Sequence, residues 1–318
     1  MGRMCDIAVI GAGVIGSAIA YRLARSGRDV VLIGDGKDGA SAAAAGMLCP
    51  SFELSHDAGK PVLADLLARS NEAWSAFAEE LSDDPYAEFG YHRRGAYGIG
   101  YHARPPGAVP VDEGALPDFS APPSFFVPGE GAVEPLRLIA VLRDRLTISG
   151  GSIVHGHAAV DGRTIMVGTE TIKAGSIVLA TGTAPDLGAE GMMGVEGEAF
   201  LVRLPDPSIV PTVVRSPTAY VVPRADGTLY IGATENWPGA IPQAREELWR
   251  DALRLIPHLG SADVLGHFKG LRPFISRDGP LVARDGERPH LIRAQGHYRN
   301  GVLFAPLTAQ TVEHLLRG

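Results

Sequence analysis

Apolar residues along this chain follow two rhythms. Asp6-Ile7-Ala8-Val9-Ile10, Asp29-Val30-Val31-Leu32-Ile33 and Ser176-Ile177-Val178-Leu179 hold short unbroken apolar runs, the pattern of strands buried on both faces. Between the first two, Ile15, Ile19 and Leu23 recur at helical spacing, and Ala18, Ala20 and Ala24 permit close packing. This predicts a helix over 15–25, ended by Gly27, and hence a βαβ unit. Helices are also predicted over 61–81 (Leu63, Leu66, Leu67, Trp74, Phe77), 134–147, 243–255 and 307–316. Residues 83–129 are rich in Pro, Gly, Tyr and Phe and predict short strands and loops. A hairpin pairs 164–167 with 171–173, and another joins Tyr220–Arg224 to Thr228–Gly232 across Ala225-Asp226-Gly227. Strands are predicted at 267–275 and 290–293.

This order describes an α/β chain. A Rossmann-type domain is expected from 1–80, 130–190 and 268–318, and a β-rich α+β domain from 81–129 and 191–267. Both are discontinuous, so the chain crosses between them more than once.

The 318 residues carry a net charge of −7, with no basic stripe or polybasic cluster. Neither nucleic acid nor an anionic membrane is an expected partner. Two scattered cysteines, Cys5 and Cys49, suit a reducing compartment. The first ten residues lack the features of a secretory signal, and no apolar run is long enough to span a bilayer. The expectation is a cytoplasmic protein, with a homo-oligomer left open. No His or Cys spacing suggests a metal.

Chemistry enters with Gly11-Ala12-Gly13-Val14-Ile15-Gly16, at the turn from first strand to first helix. Gly11 permits the tight turn, Gly13 lets backbone approach a pyrophosphate, and Gly16 lets helix pack on strand. The position expected to carry a ribose-binding acid is Gly34, which has no side chain, and Asp35 is the neighbouring substitute. No arginine follows for a 2′-phosphate. Residues 40–48 are nearly all small and would let backbone lie flat against a wide ring system. The strand end Ala180-Thr181-Gly182 and the late segment Gly296–Pro306 fit a cofactor stretched across the domain. FAD suits this layout better than a nicotinamide.

Several segments occur in a telling order: Ala43-Ala44-Ala45-Gly46-Met47-Leu48, Val133-Glu134-Pro135, Tyr220–Arg224, Gly232-Ala233-Thr234, Gly270-Leu271-Arg272-Pro273 with Asp278-Gly279-Pro280, and Gly296–Pro306. Together they resemble the FAD-dependent D-amino-acid oxidase-like family, most of all its glycine oxidase branch of thiamine biosynthesis. The resemblance implies FAD along Val14, Ile15, Gly34, Asp35, Ala40, Ser41, Ala45, Gly46 and Met47, with Ala159 near the adenine. It implies that His297, Tyr298, Arg299, Asn300, Gly301, Val302 and Leu303 wrap the isoalloxazine, ahead of a helix whose positive end favours the reduced cofactor's charge. It also implies that Arg272 and Tyr220 hold an amino-acid carboxylate, with Arg299 close by. Arg299 could equally brace a surface carboxylate, and Met47 could equally be core.

The implied activity is oxidative deamination of a small amino acid (glycine, sarcosine or a small D-amino acid), with oxygen as acceptor and no side chain acting as acid or base. An amino-acid dehydrogenase with another acceptor, or a flavin-binding protein without turnover, is the alternative.

Overall fold

The computed structural model describes residues 2–37, 39–56 and 60–317. The chain opens with β1 (Arg3–Ile10), α1 (Val14–Arg25), β2 (Val30–Gly34), α2 (Gly39–Ala42), β3 (Met47–Leu48), α3 (Pro50–His56) and α4 (Pro61–Leu81). It continues through α5 (Pro85–Phe89), β4 (Ala96–Gly98), β5 (Phe125–Val127), β6 (Gly131–Ala132), α6 (Pro135–Ile148), β7 (Ser152–His155), β8 (Ala158–Asp161), β9 (Thr164–Val167) and β10 (Glu170–Leu179). Next come β11 (Met193–Arg203), β12 (Val213–Arg215), β13 (Tyr220–Pro223), β14 (Leu229–Gly232) and α7 (Arg245–Leu255). The chain closes with β15 (Asp263–Phe274), β16 (Leu281–Arg284), β17 (Leu291–Gln295) and α8 (Gly301–Arg317).

Two large sheets result. The first has the order β16-β17-β10-β1-β2-β7, with the β8–β9 hairpin attached to β10. Its β17, β10, β1, β2 and β7 run parallel. Alternate side chains explain why these strands read as continuous apolar runs. Val9, Leu32, Val178 and Ile292 pack under α1, α6 and α8, through Ile19, Leu23, Leu142 and Phe304. Ala8, Ile10, Val31 and Ile33 face the opposite way, onto Ile165 and Val167 of the β8–β9 hairpin. Each fully buried Leu or Ile contributes about 1.5–3 kcal/mol.

The second sheet has the order β15-β11-β14-β13-β12-β4-β5, and α7 packs on it through Ala252 and Leu255 against Val202 and Ile231. The expected boundary at 268 falls within β15, which stays in this sheet to Phe274. The pair β3–β6 sets Met47 opposite Ala132, so residues 43–48 are held close to the start of α6.

Two departures from the sequence reading have a clear physical basis. Residues 171–173 and 176–179 form one strand, β10. Its first part, 170–173, pairs with β9, and 172–179 run beside β1. Gly175 looks like a break, but a methyl there would stand 2.8 Å from the Asp6 carbonyl oxygen, so the glycine permits close strand approach. Second, α8 starts at Gly301 rather than 307, with Pro306 inside it. Proline removes one N–H and reads as a helix breaker. The N–H missing at Pro306 would have served the Val302 carbonyl, and one residue further on α8 is tied to α4, the Leu303 carbonyl accepting Trp74 Nε1–H at 2.9 Å and the Ser70 hydroxyl. Asp278 caps α4 from a distance, its carboxylate accepting the Val62 and Leu63 N–H groups at 3.1 and 2.8 Å.

Candidate active site

A cavity of about 790 Å³ is lined by both sheets, well within the size range of ligand sites. One part lies beyond the carboxyl ends of β1, β2 and β10, where neighbouring parallel strands diverge in connection and ligands commonly bind. Its walls there include Gly11, Gly13, Val14, Ile15, Gly34, Asp35, Thr181 and Gly182. Gly11 has φ +106°, and a methyl on it would stand 2.2 Å from the Ala180 carbonyl oxygen, so only glycine fits this turn. Gly16 sits behind the wall, where a methyl would stand 1.7 Å from the Gly11 oxygen. This glycine lets α1 start against the loop.

Helix α1 has no acidic residue in its first turn and no capping side chain on Gly13. The Val14 N–H donates instead to Ser41 Oγ at 3.1 Å. A hydroxyl and free helix N–H groups thus share one stretch of wall, a donor set suited to a phosphate oxygen. Gly34 has its own steric reason, since a methyl there would stand 2.5 Å from the Ala12 side chain. An acid at 34 is therefore excluded by Ala12, while Asp35 is exposed and accepts the Lys37 N–H at 3.0 Å.

The small-residue stretch Ala40, Ser41, Ala45, Gly46 and Met47 lies along the same cavity. It is pinned from both sides. Tyr230 donates its hydroxyl to the Ala43 carbonyl at 2.9 Å, and Arg224 reaches the Ala44 carbonyl at 3.5 Å. Gly46, at φ +80°, would place a methyl 1.9 Å from the Val133 oxygen.

His297, Tyr298, Arg299, Asn300, Gly301 and Val302 supply another wall, where α8 begins. His297 is buried and its Nε2 lies 3.0 Å from Thr308 Oγ1. Burial lowers its pKa to about 3, so the ring is neutral. Leu303 is not on the wall, its carbonyl being taken by α4. Ala159 is not on it either, and Gly156, His157 and Ala158 stand there instead.

The second sheet contributes Tyr220, Arg272, Arg215 and Gly197. Arg272 donates from Nη1 to the carbonyls of Glu196 and Thr234 at 3.2 and 3.1 Å. Among the described residues it has no carboxylate partner. Burial raises the Tyr220 hydroxyl above its ordinary pKa, with Arg272 pulling the other way, so it is a neutral donor. Arg299, in contrast, is met by Glu53 at 2.9 Å and Glu235 at 3.2 Å. Burial would raise the Glu235 pKa, but the Arg299 charge and the Trp237 Nε1–H, which donates to it at 3.1 Å, hold it below its ordinary value.

Glu53 and Arg215 are two cavity residues the sequence did not signal. They pair at 2.8 Å, both mostly buried. Burial works against the Arg215 charge, yet Glu53 beside it holds the pKa above the ordinary arginine value. Arg215 stands directly opposite Tyr220 across β12 and β13. No local motif marks either residue.

The glycine cradles, the start of α1 with no acid in its first turn, and the length of cavity reaching the second sheet all fit a dinucleotide flavin. Comparison with known proteins agrees. The family model described as FAD dependent oxidoreductase (DAO) matches residues 6–315. The chain belongs to the DAO family of FAD-dependent oxidoreductases. FAD is accordingly the cofactor, and this DAO chain is 30% identical to a glycine oxidase of Geobacillus kaustophilus, over 98% of its own length and 92% of the relative's. It is 32% identical to the bifunctional protein ThiO/ThiG of Synechocystis sp., covering 98% of this chain and 51% of that protein. The crystal structure of the Geobacillus kaustophilus glycine oxidase superposes with a TM-score of 0.84 at 26% identity, over 99% of this DAO chain and 95% of the other. Among the described residues, no helix is long and apolar enough to cross a membrane.

Proposed function

We propose that this protein oxidises a small amino acid, with glycine the leading substrate and sarcosine or a small D-amino acid next. The observation that carries the reading is the charge balance of the cavity. Of its three arginines, Arg215 and Arg299 share Glu53, and Arg299 also has Glu235. Arg272 alone has only carbonyl partners among the described residues. A guanidinium on a cavity wall without a counter-charge is suited to one substrate carboxylate, which its planar fork can hold through two parallel bonds. The glycine oxidase names of the relatives support an amino acid as bearer of that carboxylate.

The start of α1 with Ser41 would hold the pyrophosphate, and the 297–302 turn with residues 45–47 would hold the ring end. When bound, FAD supplies the two-electron acceptor and returns those electrons to oxygen. Arg272 and Tyr220 fix the carboxylate and so orient the α-carbon. Neutral His297 and the paired Glu53 offer no free base, so positioning supplies the catalysis, with the amine entering deprotonated. For glycine the balance is glycine, oxygen and water giving glyoxylate, ammonia and hydrogen peroxide. The ThiO/ThiG relatives support a place in thiamine biosynthesis. A reducing cytoplasm suits the free thiols of Cys5 and Cys49.

The test is a peroxidase-coupled assay of the purified yellow protein with glycine, sarcosine, D-alanine and D-proline. Peroxide formed in step with ammonia supports the oxidase. Bleaching by an amino acid in the absence of oxygen, followed by slow reoxidation in air, would replace it with a dehydrogenase.

A further inference from the structure

Glycine is disfavoured inside a strand, because it loses more backbone entropy and packs nothing. Yet β11 and β14 each carry one beside the candidate clamp: Gly197 and Gly232. Both strands are paired on both sides, so neither glycine blunts an edge. Neither has a positive φ, so neither answers a left-handed backbone. Their neighbours give the reason. A methyl on Gly197 would stand 2.3 Å from both terminal nitrogens of Arg272 and 2.4 Å from the guanidinium carbon. A methyl on Gly232 would stand 2.3 Å from the Tyr220 hydroxyl and 2.4 Å from the ring carbon that bears it.

The strand order β15-β11-β14-β13 makes this a matched pair. Arg272 reaches from β15 across β11, over Gly197. Tyr220 reaches from β13 across β14, over Gly232, its direct cross-strand partner. Both side chains line the same cavity. We propose that Gly197 and Gly232 are positioning residues, two gaps in the sheet surface that seat the guanidinium and the phenol and so set the spacing of the carboxylate clamp. The proposal rests on the reading of Arg272 and Tyr220 as that clamp.

The chemistry of the clash makes it testable. In both cases a new methyl first meets the far end of a side chain, not backbone, so the side chain moves and the sheet stays. Gly197→Ala should therefore keep its colour, FAD content and thermal midpoint while Arg272 is displaced. The measurement is anaerobic bleaching of the holoenzyme against concentration of glycine, or of whichever amino acid in the panel reduces it. Half-saturation should rise about tenfold to hundredfold, and the limiting rate should fall less. Gly266→Ala on β15 is the control, since its methyl would meet Phe268 only at 3.5 Å, and it should leave both values unchanged. Adding Gly197→Ala to Arg272→Ala should cause no further loss, because the glycine acts through that arginine. A merely structural glycine would not give that result. Gly232→Ala, with Tyr220→Phe as its partner, is the second cycle if the first variant gives no holoenzyme. Unchanged half-saturation in Gly197→Ala, where Arg272→Ala has lost it, would overturn the proposal and leave the clamp standing. Unchanged half-saturation in Arg272→Ala would remove the clamp and the proposal together. Failure of both glycine variants to fold would also overturn it, by showing that the clash is not absorbed by the side chains.

Discussion

Glu53 Oε2 lies 2.9 Å from Arg299 Nη2, while its other oxygen lies 2.8 Å from Arg215 Nη1. One carboxylate thus joins α3, β12 and the turn ahead of α8. The three side chains are between 9 and 14% exposed, so their charges depend on one another. Glu53→Gln would leave two guanidinium groups under-compensated, and breaking a buried pair is strongly destabilising. We expect a loss on the order of 3 kcal/mol, read as a lower thermal midpoint of the holoenzyme. An unchanged midpoint would show that these charges are solvated instead.

Tyr220→Phe removes one hydroxyl and keeps the ring over Gly232. A hydrogen bond to a charged group contributes about 1.5–3 kcal/mol, or roughly tenfold to hundredfold in affinity. The expected result is a KM for the amino acid raised by about that factor, with FAD content unchanged. Steady-state kinetics check it, and a wild-type KM would take Tyr220 out of the clamp.

Glu130 gives a pH dependence. Burial raises its pKa from 4.5 to about 7, although the Ser51 N–H donates to it. The cation and thiol facing it are Arg215 and Cys49. An acid whose folded pKa is raised holds its proton more tightly folded than unfolded. Stability is therefore full below the unfolded value and falls as pH rises through the window from about 4.5 to 7. The fall from this group is on the order of 3 kcal/mol. Thermal midpoints of wild type and Glu130→Gln, compared from pH 5 to 8, should diverge as pH rises, with the variant holding its midpoint better. Parallel curves would contradict the shift.

Asp278→Ala tests the remote cap of α4. Losing a capping carboxylate costs about 0.5–2 kcal/mol. The midpoint should drop accordingly with KM untouched. A drop in amino-acid affinity instead would place Asp278 in the site.

The βαβ opening was legible because its signals are local. Ile7–Ile10 is an unbroken apolar run, and the spacing of Gly11, Gly13 and Gly16 has one geometric meaning. The motif segments were legible as a set, and the structure gathers residues 11–15, 40–41, 43–47, 297–302, Tyr220 and Arg272 around one cavity. What was hidden depends on distant contacts. Pro306 reads as a helix breaker until α8 is seen tied to α4 by Trp74 and Ser70, which donate to the Leu303 carbonyl. Gly175 reads as a strand end until Asp6 lies against it. Glu53 and Arg215 are 162 residues apart, and neither sits in a pattern that announces the other. Arg299 could be read toward substrate or toward the protein, and its two carboxylates are found only in three dimensions.

The central claim is that Arg272 holds the carboxylate of an amino acid that reduces the flavin. Its most direct test is anaerobic titration of the purified Arg272→Ala holoenzyme with glycine, beside wild type, following the visible flavin bands. We predict that both proteins are yellow, that wild type bleaches at saturable glycine concentrations, and that the variant stays oxidised or needs at least about hundredfold more glycine. Bleaching of the variant at the wild-type concentration would contradict the account.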